Sequence, residues 1–332
     1  STTIKITGTG SALPEKIVTN FDLQELVETS DEWIQKRTGI AQRRISTGET
    51  VSVLAAKACE RALEMAGKTA AEVDMILVAT CSPELLLPCC ACQVQDLIGA
   101  ADAVAFDLNA ACSGFLFALN TANAYLQTGV YKNALIVGSE VLSKLVDWKD
   151  RGTCILFGDG AGAAFVEASA EVCIYENGRR AGMECMVQGS DGAKGMVLSC
   201  AERAVSSAFF AEEQAVKPYI QMDGQEVYKF ATKQVPACIQ QALDKAGMTV
   251  SDVDWFILHQ ANVRIIESVA KHLKADITKF PMNIHEIGNM SSATIPVLLD
   301  ECSRKGLIKR GDRIVLSGFG AGLTYGASVL VW

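Results

Sequence analysis

Apolar residues along the chain follow two periods, and their alternation predicts the secondary structure. Segments with apolar positions three or four residues apart predict amphipathic helices, whereas short uninterrupted apolar runs predict strands buried on both faces. The predicted strands lie at residues 75–78, 134–138, 161–167, 255–258, 312–318 and 326–332. Helices that alternate with buried strands predict an α/β fold with mostly parallel sheets covered by helices. The Gly-rich stretch 177–217 breaks this pattern and predicts a long loop with one short helix, lying over or between the sheets.

The sequence contains an internal repeat, in which position 62 corresponds to position 242 and the offset stays constant. Residues 62–78 read ALEMAGKTAAEVDMILV and residues 242–258 read ALDKAGMTVSDVDWFIL, with seven identities in seventeen positions. Each copy has the pattern of a helix, a glycine that ends it, and a buried strand. The repeat therefore predicts two similar halves, which we place at residues 1–172 and 173–332.

One cysteine lies among the smallest side chains, where a strand pattern changes into a helix pattern. Residues 105–119 read AFDLNAACSGFLFAL, and Cys112 comes directly before the helical part. The unpaired N–H groups at a helix start stabilise a thiolate by at most about 2 kcal/mol, which would bring the pKa of the thiol from about 8.5 to near neutrality. Cys112 is therefore a candidate nucleophile, and a buried structural cysteine is the alternative.

Two polar residues of the second half fall at similar junctions. His259 follows the buried strand of the second repeat copy, at the edge where α/β sheets build their sites. Asn289 stands at the start of the next predicted helix, and the repeat offset places it opposite Asn109. The other two histidines, His272 and His285, lie in polar surroundings and are expected to be solvated.

Cysteine, histidine and asparagine together suggest two kinds of chemistry. In acyl transfer, Cys112 would form a thioester, and its own N–H and the Gly-rich turn at 317–327 would donate to the oxyanion. In a hydrolase, His259 would deprotonate Cys112 and Asn289 would orient the imidazole. The residues alone leave both alternatives open.

Composition excludes several other classes. The 332 residues carry a formal net charge of −8, which argues against a general nucleic-acid-binding protein. No apolar stretch is long enough to predict a membrane span, and the twelve scattered cysteines are typical of free thiols in the cytoplasm. The Cys-x-x-Cys pair at 89–92 lacks further ligands at metal-site spacing, so we predict no metal site.

Six motifs, spread over nearly the whole chain, resemble those of β-ketoacyl-acyl-carrier-protein synthase III. They are DEWIQKRTGI at 31–40, ACSGF at 111–115, DWKDRGTCILFGDGAGA at 147–163, HQAN at 259–262, GNMSSA at 288–293 and FGAGLTYG at 319–326. The resemblance implies a thiolase-like fold, which is a duplicated α-β-α-β-α arrangement of five layers, in a homodimer. It also implies decarboxylative Claisen condensation of an acyl-CoA primer with malonyl-acyl-carrier-protein, the first condensation of fatty-acid synthesis. No cofactor is implied beyond the coenzyme A thioester that serves as substrate.

The resemblance assigns catalytic roles to residues of this chain. Cys112 would take the acyl group, while His259 and Asn289 would donate hydrogen bonds to the malonyl thioester oxygen, where enolate charge develops. The backbone N–H groups of Cys112 and Ala321 would form the oxyanion hole. A neutral imidazole is required for this role of His259, and partial burial at a strand end would favour it.

Coenzyme A contacts are implied in the same way. Trp33 and Arg151 would enclose the adenine, and Arg37 would meet phosphate. Gly224 and Asn262 would line the channel for the pantetheine arm. Without the resemblance, a half-buried tryptophan beside ordinary surface arginines would be the simpler interpretation.

The acidic carrier protein needs a basic surface on which to dock. Arg264 and Lys271 share one face of the helix predicted after His259, and Lys229 lies on another helix. We assign these three residues to docking, although charged helix faces are commonly only solvated. Leu87 occupies the position at which the opposite subunit closes the primer pocket in the family.

Three positions depart from the family pattern. Ala321 stands where glycine is common. Met290 stands where threonine is usual, and the sequence GNMSSA is similar to that of plant-type polyketide synthases. Leu87 replaces a frequent phenylalanine, and a smaller lid would admit longer or branched primers. The alternative function is therefore a related condensing enzyme that makes a specialised acyl product. A thiolase is disfavoured because the Gly-rich turn at 317–327 contains no second cysteine.

Overall fold

The computed structural model describes residues 2–211 and 216–332 of the chain. Its strands are β1 (Thr3–Ala12), β2 (Ile17–Thr19), β3 (Gln42–Arg44), β4 (Met75–Ala79), β5 (Val104–Leu108), β6 (Asn133–Glu140), β7 (Gly160–Ser169), β8 (Gly182–Ser190), β9 (Leu198–Cys200), β10 (Ile220–Met222), β11 (Trp255–Leu258), β12 (Arg313–Gly320) and β13 (Thr324–Val331). All six strands predicted from apolar runs are present. Their continuous burial, as in β4, is the reason that the apolar pattern detects them.

The helices are α1 (Asn20–Leu23), α2 (Asp31–Thr38), α3 (Val51–Ala66), α4 (Cys90–Ile98), α5 (Gly114–Gln127), α6 (Gly224–Lys245), α7 (Val263–Leu273), α8 (Ile284–Ile287) and α9 (Thr294–Arg304). Local signals set their ends. The Ser30 hydroxyl caps α2 by accepting from the Trp33 N–H, and Gly39 ends that helix at φ +78°. Gly67 ends α3 in the same left-handed conformation. Within the described ranges, no helix combines the length and apolar content needed to span a bilayer.

Two mixed sheets form the frame. The first has the order β1-β7-β6-β4-β5 and the second the order β11-β12-β13-β8. The expectation of mostly parallel sheets is wrong, because only β4/β5, β4/β6 and β11/β12 pair in parallel. The other four pairs are antiparallel. One of them, β12/β13, is joined by a three-residue turn, which permits only antiparallel pairing.

Helices and sheets alternate in five layers, as expected for the thiolase-like fold. Helices α3 and α4 cover the outer face of the first sheet, and α6 and α7 cover the outer face of the second. Helices α5 and α9 lie between the sheets and share one apolar core with both of them. The two helices that begin at the candidate catalytic junctions are therefore enclosed between the two sheets.

The second sheet corrects the prediction for residues 177–217. This stretch contains β8, which pairs with β13 from Gly182 to Ser190, in addition to the predicted short helical turn. The repeat offset places β8 opposite β1, so the two strands are counterparts. Strand β8 escaped detection because it is an edge strand whose residues are mostly half-buried, so that it lacks an apolar run.

The repeat also has one clear exception. The counterpart of β5 would fall near residues 284–288, where the chain forms α8 instead. All strands of the first sheet precede residue 170 and all strands of the second follow residue 181. The boundary between halves at residue 172 stays a prediction.

Candidate active site

Cys112 lies on a strained turn between β5 and α5. It occupies the middle of a 3₁₀ turn, Ala111–Ser113, and Ala111 has φ +48°, a left-handed conformation that alanine rarely adopts. The Asn109 side chain supports the turn by accepting a hydrogen bond from the Ala111 N–H at 3.1 Å. The turn holds the thiol at the start of α5, as the sequence predicted.

The thiol does not have the lowered pKa that we expected from the helix start. Burial raises the pKa of Cys112 to about 12, and the buried Glu140 carboxylate acts in the same direction, while the Ser291 side chain opposes the increase. The expectation was wrong because it considered only the helix and not the desolvation of the thiolate. A pKa raised this far favours the protonated thiol at neutral pH.

His259 is buried and neutral. It directly follows β11, where its N–H donates to the Ser317 carbonyl at 2.9 Å. Burial lowers the pKa of the imidazole to about 3, so the ring is uncharged at pH 7. Nδ1 lies 2.6 Å from the Thr294 hydroxyl, whereas Nε2 is buried without a hydrogen-bond partner. The Phe319 ring meets the imidazole edge-on, with centroids 5.4 Å apart.

Asn289 lies on a second left-handed turn that matches the first. Its Oδ1 accepts from the Ser291 N–H at 2.8 Å, and Ser291 has φ +50°. Because the carbonyl end of the amide is held by the backbone, the NH₂ end is the group available to a ligand. The hydrolase interpretation needed Asn289 to orient the imidazole, but Thr294 contacts that ring nitrogen instead.

One cavity of about 840 Å³ connects the candidate residues. Its lining includes nine of the residues selected from the sequence: Trp33, Arg37, Cys112, Gly224, Lys229, His259, Asn262, Arg264 and Asn289. Across the described ranges, no cluster of three His, Cys, Asp or Glu side chains is placed to hold a metal ion. A buried thiol, a neutral imidazole and a primary amide thus face one space, whose lining also includes basic and acidic side chains: Arg37, Lys229, Arg264, Asp150 and Asp223.

Comparison with known proteins identifies the family. Residues 106–176 match the family model of 3-oxoacyl-[acyl-carrier-protein] synthase III, and residues 243–332 match the model of its C-terminal part. A β-ketoacyl-[acyl-carrier-protein] synthase III from Clostridium acetobutylicum is 49% identical over 329 residues, which span 99% of this chain and 98% of that protein. The chain belongs to the β-ketoacyl-acyl-carrier-protein synthase III family.

Solved structures agree with this assignment. The synthase III from Aquifex aeolicus superposes with a TM-score of 0.90 at 40% identity, over 99% of this chain and all of the other. A priming β-ketosynthase of the R1128 polyketide pathway superposes with a TM-score of 0.89 at 34% identity, over 99% of this chain and 96% of the other. The predicted fold and enzyme class are confirmed: the protein is a condensing acyltransferase that starts fatty-acid synthesis. The specialised-product alternative is not favoured.

Trp33 is flanked by both candidate arginines. The Arg37 guanidinium lies 4.9 Å from the centre of the indole ring, and that of Arg151 lies 5.3 Å from it. Arg151 also donates to the Glu28 carbonyl at 3.2 Å and is exposed. Since Arg151 contacts the indole directly, an adenine between the two requires that this arginine swing outwards.

The other predicted binding residues occupy varied positions. Gly224 begins α6, and Asn262 caps α7 by accepting from the Arg264 N–H at 2.8 Å. Lys229 pairs with Glu226 at 3.1 Å beside the cavity. Lys271 is exposed in the last turn of α7, away from the cavity lining.

Besides Arg151 and Lys271, two further predicted residues, Leu87 and Ala321, lie outside the cavity lining. Leu87 is 86% exposed on the segment before α4. Ala321 is half-buried just after the end of β12, and its neighbour Gly320 lines the cavity. The role of each therefore depends on a group that this chain does not itself place there: a second subunit for Leu87 and a bound thioester for Ala321.

Sequence reasoning missed two residues that touch the catalytic groups. Thr294 contacts His259, and Gly320 leaves so little space that a Cβ there would lie 2.7 Å from the Cys112 backbone nitrogen. The repeat offset offered a signal for the first of them, because it places Thr294 opposite Gly114, the first residue of α5.

Proposed function

We propose that Cys112 accepts the acyl group of an acyl-CoA primer in the first half-reaction. The Cys112 sulfur forms a bond to the thioester carbon, the bond to the coenzyme A sulfur breaks, and the thiol proton passes to the departing sulfur. This exchange needs no net base, which suits a thiol whose pKa is raised by burial. The reaction also uses no cofactor beyond the thioester itself.

In the second half-reaction, malonyl-acyl-carrier-protein enters and loses carbon dioxide. The electron pair of the broken C–C bond forms an enolate, whose carbon attacks the acyl group on Cys112. The bond to sulfur breaks as the 3-oxoacyl product forms, and Cys112 leaves as a thiolate that takes up a proton from solvent. His259 Nε2 and the Asn289 amide stabilise the enolate oxygen by donating hydrogen bonds. The observation that carries this proposal is the neutral, buried imidazole with a free ring nitrogen in the same cavity as the thiol.

The oxyanion of each tetrahedral intermediate needs donors of its own. We assign this role to the backbone N–H groups of Cys112 and Ala321. The close approach of Gly320 to the Cys112 nitrogen brings the turn after β12 beside the nucleophile, which supports this assignment. Each such donor contributes on the order of 3 kcal/mol to the stability of the transition state.

The mouth of the cavity suits both carriers. Trp33, Arg37 and Arg151 would bind the nucleotide end of coenzyme A, and Gly224 and Asn262 would border its pantetheine arm. The acidic acyl carrier protein would dock on Lys229, Arg264 and Lys271, because their positive charges complement its negative charge.

A homodimer would complete the site. Leu85, Leu86 and Leu87 expose 46%, 70% and 86% of their surface, and the edge strand β5 leaves Val104 exposed. Contiguous exposed apolar residues next to an open sheet edge favour association with a second copy. Leu87 would then close the primer pocket of the partner. Native mass spectrometry should give a dimer, and Leu87→Asp should weaken it.

A cytoplasmic location is part of the same proposal. All twelve cysteines are free, which fits a reducing compartment.

The test is intact-protein mass spectrometry after mixing with acyl-CoAs of graded length and branching. We expect one acyl adduct on the protein, absent from Cys112→Ala and present in the control Cys59→Ala, which removes a buried thiol outside the cavity lining. Malonyl-acyl-carrier-protein should discharge the adduct as a 3-oxoacyl product. An adduct that persists in Cys112→Ala would contradict the assignment of the nucleophile.

A further inference from the structure

The Thr294 hydroxyl lies at the centre of a small buried network. Its oxygen is 2.6 Å from His259 Nδ1, 3.3 Å from the Gln260 N–H nitrogen and 3.2 Å from the Ser291 carbonyl. Thr294 and Gln260 are fully buried, so water does not compete for these contacts. The one proton of the hydroxyl decides which of the two imidazole nitrogens carries the proton of the neutral ring.

The distances indicate where that proton points. Hydroxyl donors to oxygen form hydrogen bonds of about 2.5–3.0 Å, whereas N–H donors to oxygen fall at about 2.7–3.2 Å. The contact of 2.6 Å with Nδ1 matches a hydroxyl donor, and the contact of 3.2 Å with the Ser291 carbonyl is the weaker alternative. The Gln260 N–H already supplies a donor to the threonine oxygen. A hydroxyl that donates to Nδ1 uses the shorter of these two contacts, and it would leave the ring proton on Nε2.

We propose that Thr294 is a positioning residue that fixes His259 in the tautomer with the proton on Nε2, so that the imidazole donates to the enolate oxygen. This inference rests on the role proposed above for His259. The opposite tautomer would present a lone pair to the enolate oxygen and would repel it. Thr294 thus makes a neutral imidazole into a hydrogen-bond donor at Nε2, the ring nitrogen left without a partner once Nδ1 is occupied.

The repeat supports a role beyond packing. The positions equivalent to His259 and Thr294 in the first half are Ala79 and Gly114. A Cβ at Gly114 would lie 2.9 Å from the Ala79 Cβ, so the first helix of the central layer begins with no side chain at all. The equivalent helix start in the first half therefore forms without a hydroxyl, whereas threonine occurs in the half that carries the imidazole.

The tautomer of the unmodified protein can be measured directly. The chain has only three histidines, and His272 and His285 are exposed. In protein labelled with ¹⁵N-histidine, long-range ¹H–¹⁵N correlation spectra should give one ring with a single protonated Nε2. That pattern should stay constant from about pH 5 to 8, the range in which exposed histidines titrate. A ring with the proton on Nδ1 would overturn the inference without any substitution.

Two variants extend the test to catalysis. Thr294→Val keeps the shape and removes the hydroxyl, and Thr294→Ser keeps the hydroxyl. We expect Thr294→Val to mix the tautomers and to slow malonyl decarboxylation and condensation by about 10²-fold, as for loss of one donor. Acylation of Cys112 by acyl-CoA should be unchanged. Thr294→Ser should restore both the tautomer and the rate.

The outcomes separate this inference from the proposed function. If Thr294→Val keeps the Nε2 proton and the condensation rate, Thr294 does not set the tautomer. If the tautomer shifts while condensation stays fast, Thr294 acts as inferred on the ring, and the donor role of His259 fails instead. Should Thr294→Val not fold, the spectra of the unmodified protein and of Thr294→Ser still decide the tautomer.

Discussion

Replacing Gly320 by alanine should disable the nucleophile by space alone. A Cβ built on Gly320 lies 2.7 Å from the nitrogen, 2.8 Å from the Cβ and 3.1 Å from the Cα of Cys112. Gly320 is not among the glycines with positive φ, so alanine is compatible with the backbone conformation itself. The substitution therefore tests one property, the close approach of the turn after β12 to the Cys112 backbone.

The magnitude follows from the geometry. For contacts of ordinary length, the backbone segments that carry Gly320 and Cys112 must separate by more than half an ångström. Two of the three short contacts are with backbone atoms, which cannot rotate away. Misplacement by about 1 Å in an active site costs about 10²-fold in rate, and loss of an oxyanion donor costs about 10²–10³-fold. Overpacking of this kind destabilises a protein by about 1–3 kcal/mol. We expect acylation of Cys112 to slow by about 10²-fold in a protein that still folds.

The assay is quenched-flow acylation by acyl-CoA, read as the mass of the intact protein. Gly192→Ala is the matched control, because nothing lies within 4 Å of a Cβ there and its φ is not positive. Thermal melts of both variants separate loss of rate from loss of structure. Acylation of Gly320→Ala within threefold of the unmodified rate would refute the reasoning that this turn sets the position of Cys112.

Three further predictions rest on single side chains. Burial lowers the pKa of His259 to about 3 from about 6.5 in the unfolded chain, so the unfolded state binds more protons below pH 6.5. The free energy of unfolding, measured by urea titration, should therefore fall by about 2 kcal/mol from pH 7 to 5. His259→Gln should lose this part of the pH dependence. Asp300→Ala should destabilise the fold by about 3 kcal/mol in the same assay, because it leaves the hydroxyls of Thr9 and Ser11, at 2.9 and 2.6 Å, without their buried acceptor. Trp33→Ala should raise KM for acyl-CoA about tenfold but leave acyl-pantetheine unaffected, since only the former carries an adenine to stack on indole.

Local signals were sufficient for most elements and for the selection of the candidate catalytic residues. The continuous burial of strands such as β4 produces an apolar run, and capping residues such as Ser30 and Gly39 act on their own helix. Strand β8 was missed because half-burial at a sheet edge leaves no run to detect. Parallel pairing was overestimated because strand direction depends on connections, and the short turn between β12 and β13 carries no apolar signal.

The pKa of Cys112 could not be predicted from its neighbours in sequence. The residues that enclose the thiol come from distant segments, including Gly320 from the turn after β12 and Ser291 from the second strained turn. The increase in the pKa caused by desolvation exceeds the decrease expected from the helix start. The helix start is the only one of these influences that residues 105–119 reveal. The contact between Thr294 and His259 spans 35 positions and depends on how α9 packs against the end of β11, so it too is a property of the folded chain.

The duplication accounts for two similar turns, which carry different candidate catalytic residues. Ala111 and Ser291, which are equivalent positions of the repeat, share a left-handed φ, and each accompanies an asparagine that accepts the N–H of the turn. Each turn rests on a glycine of the other half: Gly138 of β6 faces the Ser292 carbonyl, and Gly318 of β12 faces the Cys112 carbonyl.

The two turns differ only in what they present. In the first, the residue three positions after the asparagine is Cys112, the proposed nucleophile. In the second, the equivalent residue is Ser292, whose hydroxyl donates to the Ala79 carbonyl at 2.9 Å and serves the interface between the halves. That turn contributes the Asn289 amide instead, and the adjacent strand end contributes His259. Because each half places one turn at the start of a central helix, the proposed nucleophile and the proposed hydrogen-bond donors come from different halves, and neither half alone carries the complete candidate site.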